Sequence, residues 1–131
     1  MAESFDPGTI ARAFAQHRFD EVFPHLASDV RWTVVGYMVL EGADAVVRTC
    51  RDTVESLKGT TTSMDRCVTA VGDGVVAVDS VDRYTGSDGL TVVARCNIFE
   101  FAGTQIASIT SCAVEVDPQS AGAPPPPRGD R

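Results

Sequence analysis

Val75-Val76-Ala77-Val78-Asp79-Ser80-Val81-Asp82-Arg83-Tyr84-Thr85 alternates as a long β-strand does, and it decides how the chain is read. Side chains on a strand point to opposite faces with period two. Val76, Val78, Ser80, Asp82 and Tyr84 therefore share one face, and Ala77, Asp79, Val81 and Arg83 the other. The first set is apolar or small except for one carboxylate, Asp82. Burying a carboxylate without a partner costs several kcal/mol, so Asp82 is expected to be paired or to have a chemical task.

Outward from this strand, residues 61–71, 90–101 and 106–117 are also β-rich. The connections Gly72-Asp73-Gly74, Gly86-Ser87-Asp88-Gly89 and Ala102-Gly103-Thr104-Gln105 have turn composition, so the four strands are predicted to form an antiparallel meander. The N-terminal half is different. Asp6-Pro7-Gly8-Thr9 opens a helix with Ile10, Ala13, Phe14 and His17 on one face. A second short helix is predicted around Glu21, Val22, Phe23, His25 and Leu26, and a first strand over residues 30–35. Residues 36–42 are expected to be a loop or short edge strand. Val46, Val47, Cys50, Val54 and Leu57 recur at helical spacing in a third helix, which Lys58-Gly59 ends. Helices followed by strands imply an α+β domain in which helices cover one face of a curved sheet. Residues 1–117 are expected to form this one domain, with 118–131 a Pro-rich, disordered tail.

The chain has 131 residues, enough for one core and too few for two comfortable ones. Its net charge of −7 argues against a nucleic-acid or anionic-membrane partner, because both rely on Lys and Arg. No apolar run is long enough to span a bilayer. The first residues, Met1-Ala2-Glu3-Ser4-Phe5-Asp6, lack the basic and apolar regions of a signal peptide, so a cytoplasmic location is expected. Cys50, Cys67, Cys96 and Cys112 lie far apart without ligand spacing and are expected to be reduced, with no metal site.

Two helices come first, then Ser28-Asp29-Val30-Arg31-Trp32, then Glu41-Gly42 leading into a third helix. The Asp82 strand, Ile98-Phe99-Glu100-Phe101 and Ile109-Thr110 follow. In this order the chain resembles the nuclear transport factor 2-like superfamily in its SnoaL-like branch, which includes polyketide cyclases, ketosteroid isomerases and limonene-1,2-epoxide hydrolase. The resemblance runs over roughly residues 6–117. It implies a cone-shaped α+β barrel, three N-terminal helices on a curved antiparallel sheet, with reactive groups on the inner face and no cofactor. It also implies a homodimer paired through the outer sheet face.

Carried over residue by residue, the resemblance is partial. The strand acid of the epoxide hydrolase falls on Asp82, but its arginine falls on Ser80 and its second acid near Val114. The hydrolase's tyrosine and asparagine fall near Trp32 and Val34. The general base of ketosteroid isomerase falls near Thr33, and its hydrogen-bond-donating acid on Asn97.

Turn-based register brings Asp82 opposite Val93 or Arg95, so Asp82 and Arg95 are the predicted catalytic pair. The predicted substrate-binding residues are Asn97, Tyr84, Trp32, Tyr37, Ser80, Phe99 and Cys112. The expected partner is an apolar cyclic or polyketide-like small molecule, handled by Asp82 as general acid or base. A non-catalytic binding or dimerising module is the competing reading, in which Asp82 and Arg95 form only a structural salt bridge.

Overall fold

A computed structural model describes residues 5–118. The tail expected from residue 118 onward lies, from residue 119, outside the described residues. The first helix, α1 (Pro7–Ala15), starts as its sequence requires. The Asp6 side chain accepts from the Thr9 backbone N–H at 3.2 Å, and Pro7 stands in the first turn.

The second helix is not a continuous α-helix. Two consecutive 3-10 turns, Phe19–Glu21 and Phe23–His25, take its place. Pro24 lacks the N–H that a longer helix would use, which keeps this segment to short turns. Strand β1 (Leu26–Val34) follows directly, then the edge strand β2 (Met38–Glu41) and helix α2 (Ala43–Ser56). Gly42, at φ +92°, makes the corner between β2 and α2 in a conformation few other residues adopt.

The meander is as expected: β3 (Thr61–Gly72), β4 (Val75–Gly86), β5 (Gly89–Ala102) and β6 (Gln105–Val116). The six strands form one sheet in the order β2-β1-β6-β5-β4-β3. The sheet is mixed rather than antiparallel, because β1 pairs with β6 in parallel. A connection through β2 and α2 lets β3 start at the far edge, and three hairpin reversals then bring β6 alongside β1 in the same direction. Register breaks in β1, β3 and along the β5–β6 pair add local twist and curl the sheet.

The hollow of that curl holds the core. Phe14 of α1 sits at its centre, with edge-on aromatic contacts to Phe19 at 5.2 Å, Trp32 at 5.2 Å and Phe99 at 5.3 Å. Val76, Val78, Ile106 and Ile109 line the same interior. Among the described residues, no helix is long and apolar enough to cross a membrane. Because Phe14 joins α1 to both halves of the sheet, Phe14→Ala should lower the unfolding free energy by about 3–5 kcal/mol in urea titrations.

Candidate active site

Asp82 lies on the inner face of β4, and its side chain is only 2% exposed. Its register partner on β5 is Val93, and Arg95 stands one inner position further along. Arg95 Nε approaches Asp82 Oδ2 to 2.6 Å. The N–H does not point along that line, so the contact is an ion pair rather than a directed hydrogen bond. The Tyr84 hydroxyl donates to the same Oδ2 at 3.0 Å. Arg95 also donates from Nη2 to the backbone oxygen of Ala15 at 2.8 Å. That carbonyl belongs to the last turn of α1, where carbonyls lack intrahelical partners and carry the negative end of the helix dipole. Arg95 thus meets Asp82, as the sequence pairing anticipated, and also joins the end of α1 to the strand acid, which the sequence did not show.

The other carboxylate oxygen, Oδ1, has no protein partner, although it is buried. Buried polar atoms are normally satisfied, and leaving one unpaired costs about 1–3 kcal/mol. Besides Arg95 Nε, two further inner-face atoms share this condition, Ser80 Oγ and Asn97 Nδ2. Asn97 is held from its other side. Trp32 Nε1 donates to Ser111 Oγ at 2.8 Å, so the serine proton is free to go to Asn97 Oδ1 at 2.5 Å. This order of donors turns the Asn97 amide so that its N–H groups are the free ones.

A cavity of about 290 Å³ lies beside the acid, lined by Gln16, His17, Thr62, Ser63, Met64 and Asp82. Its wall mixes hydroxyl, amide, carboxylate and imidazole groups with one thioether. Of the predicted binding residues, Tyr84 contacts Asp82 directly. Asn97 and Ser80 are buried deeper along the inner face and do not line this cavity.

Four placements differ from expectation. Trp32 and Phe99 pack in the core against Phe14. Tyr37 lies at the β1–β2 turn, 80% exposed. Cys112 is on the outer face, exposed and opposite Cys96. The cause at Cys112 is the register break between Glu100 and Phe101, where one extra residue of β6 reverses the alternation beyond Ile106. Ser111 turns inward instead, where alternation counted along β6 without the bulge places Cys112.

Sequence reasoning also passed over His17. Helix α1 ends in a Schellman motif: Arg18 N–H bonds to Ala13 O at 2.8 Å and His17 N–H to Phe14 O at 3.1 Å. The position between, usually glycine, is His17 at φ +63°. Its imidazole packs edge-on against Phe19 and Tyr84, with Nε2 3.5 Å from the Tyr84 hydroxyl. Burial, and then the nearby Arg95 guanidinium, lower the His17 pKa against an opposing effect of Asp82. Burial pushes the Tyr84 phenol up to about 12, so it stays a donor. A lone histidine near a helix end gave no signal in the sequence, because neither its φ angle nor Asp82 across the cavity is local information. Among the described residues, no group of three His, Cys, Asp or Glu side chains is placed to hold a metal ion.

The linkage at His17 sets a direction for acid stability. The unfolded chain binds the His17 proton near the ordinary value of 6.5, and the folded chain binds it only at lower pH. Stability is therefore complete above 6.5 and declines as the pH falls toward the folded value. The charged and titratable groups around the ring are Asp82, Tyr84 and Arg95 on the sheet side, and Arg18, Asp20, Glu21, Cys50, Arg51, Glu55 and Lys58 around the groove. Urea titrations between about pH 7.5 and pH 5.5 should show a steeper loss for the wild type than for His17→Asn, which keeps a residue tolerant of this backbone. Parallel curves would remove His17 as the source.

Residues 9–109 match the family model described as a SnoaL-like domain. No curated protein sequence matches the chain. Among solved structures, one similar in fold is an NTF2-like protein of unknown function from Cytophaga hutchinsonii. It is 23% identical, with TM-score 0.71 over 81% of this chain and 94% of that one. A candidate polyketide cyclase from Xanthomonas campestris is 17% identical, with TM-score 0.62 over 85% and 87% of the two chains. An epoxide hydrolase of the LEH-like kind from M. tuberculosis is 18% identical, with TM-score 0.55 over 79% and 75%. At these identities the likeness establishes fold alone.

Proposed function

The chain belongs to the SnoaL-like family, and from that premise we propose that it is an acid–base enzyme acting on a small cyclic or polyketide-like molecule, with Asp82 as the proton-transfer group. The observation that carries this reading is the state of the Asp82 carboxylate. One oxygen is fixed by Arg95 and Tyr84, and the other is free in a residue that lines a cavity. A purely structural ion pair has no need of an uncommitted buried oxygen. A base that must meet a substrate proton does.

Of the family's reactions, isomerisation or cyclisation fits better than epoxide opening. Concerted water attack on an epoxide uses two acids around an arginine, and the strand position two before Asp82 holds Ser80, with Val114 exposed on the outer face. Arg95 supplies a cation from the neighbouring strand, but Asp82 is the one carboxylate in the cavity wall. Removing a proton next to a carbonyl needs only one such base and a stabilised oxyanion. The cavity is small for a drug-sized ligand, which favours one or two rings.

We also propose a homodimer through the outer sheet face, where Val68, Ile98 and Val114 are exposed. Sedimentation should show a dimer that Val114→Glu converts to monomer. A wild type that sediments as a monomer sinks this proposal.

To test the main reading, the protein is assayed with a β,γ-unsaturated cyclic ketone and a poly-β-ketone, following absorbance of the conjugated products. Asp82→Asn should lower kcat/KM by at least about 100-fold. Its melting temperature should stay within a few degrees, because the amide still accepts from Tyr84 and Arg95 keeps Ala15 O. Turnover that survives in Asp82→Asn would remove Asp82 as the proton-transfer group, and no turnover in the wild type would leave a ligand-binding module instead.

A further inference from the structure

His17 combines a left-handed backbone with a side chain confined between Phe19 and Tyr84. Glycine would close the Schellman motif without strain, since the left-handed region is open to it at no cost. A histidine kept at φ +63° places its ring against Tyr84 and in the wall of the cavity that Asp82 also lines. Strain of this kind gathers where a side chain must be aimed. His17 also lines a larger open groove of about 580 Å³, with Phe19, Cys50 and Arg51 among its walls, so it stands between the cavity and this groove.

We propose that His17 is a second catalytic residue of this site, stabilising the substrate oxygen while Asp82 moves the substrate proton. The proposal rests on the reading of Asp82 as the proton-transfer group. Asp82 Oδ1 takes a proton from carbon next to a carbonyl: the C–H bond breaks, an O–H bond forms on the carboxyl, and the electron pair moves to the carbonyl oxygen as an enolate. A ring N–H of His17 donates a hydrogen bond to that oxygen. In isomerisation the Asp82 proton then returns to a different carbon. In cyclisation the enolate carbon attacks a second carbonyl, a C–C bond forms, and the resulting alkoxide takes the proton from Asp82. Either way both residues finish as they began, and no co-reactant is required.

Three features suit His17 to this role. Burial and Arg95 hold its ring neutral at neutral pH, and a neutral imidazole stabilises an oxyanion without giving its proton away to water first. Nε2 lies 3.5 Å from the Tyr84 hydroxyl oxygen, whose proton is donated to Asp82 Oδ2 at 3.0 Å. At 3.5 Å the contact with Tyr84 is too weak to hold the ring proton in place, so the neutral imidazole keeps an N–H that it can turn to a ligand. Asn97, the donor expected from sequence, does not line the cavity. His17 takes that place from the opposite wall.

The probe is 2-naphthol, a planar aromatic hydroxyl that mimics the enolate oxygen and reports its ionisation by fluorescence. Wild type should bind it. His17→Phe should weaken binding at least about tenfold, the loss of one charge-assisted hydrogen bond. His17→Asn, which tolerates the backbone and restores a donor, should stay within about threefold. Asp82→Asn should bind as well as wild type or better. On the ketone substrate, His17→Phe should lower kcat by about 100-fold, the scale of losing one oxyanion donor, with KM little changed. Melting curves check that each variant folds. If wild type fails to bind naphthol, or His17→Phe binds and turns over like wild type, the inference is overturned while the role of Asp82 stands. If Asp82→Asn turns over normally while His17→Phe is inactive, the reading of Asp82 fails and His17 remains.

Discussion

Arg95 reaches across the inner face of the sheet and holds two oxygens at once, Asp82 Oδ2 and the Ala15 carbonyl. The first belongs to β4, the second to the frayed end of α1, so one guanidinium fixes the distance between helix and sheet where the cavity opens. A lysine could meet one of these needs. The fork of donors on arginine meets both, and its charge is not lost on burial. At 18% exposure Arg95 remains in partial contact with solvent, which moderates the desolvation penalty that a fully buried pair would carry.

Below this clamp the interior changes character. Trp32, Ser111 and Asn97 form a short chain of hydrogen bonds that crosses from β1 through β6 to β5, and Phe14 packs over its start. Such a chain restrains the strands that α1 covers, because the Trp32 and Ser111 donors each have one well-placed acceptor. The closed, apolar end of the cone and its open, polar end are therefore separated within a few residues along the same strands. Val76 and Val78 serve the first, and Asp82 and Tyr84 the second.

Membership of the SnoaL-like family explains the scaffold without choosing the chemistry. Asp82 is the inner-face carboxylate of β4, and its cation comes from the adjacent strand β5 through Arg95. Around that ion pair stand Tyr84, which donates to the same carboxylate, and His17, which lines the same cavity.

The alternation of Val76, Val78, Ser80, Asp82 and Tyr84 was enough to put one carboxylate on the inner face, since parity is local and a strand of this length offers no way to escape it. Turn composition likewise brought Arg95 to Asp82, because a short hairpin fixes register within a residue or two. Three matters belonged to tertiary structure alone. The extra residue in β6 exchanged Cys112 for Ser111, as a bulge leaves no mark in composition. The parallel pairing of β1 with β6 joins segments far apart in the chain, and no local pattern encodes it. His17 became part of the site through a left-handed turn at the end of α1 and the approach of Tyr84 from β4, two facts that exist only once helix and sheet are packed together.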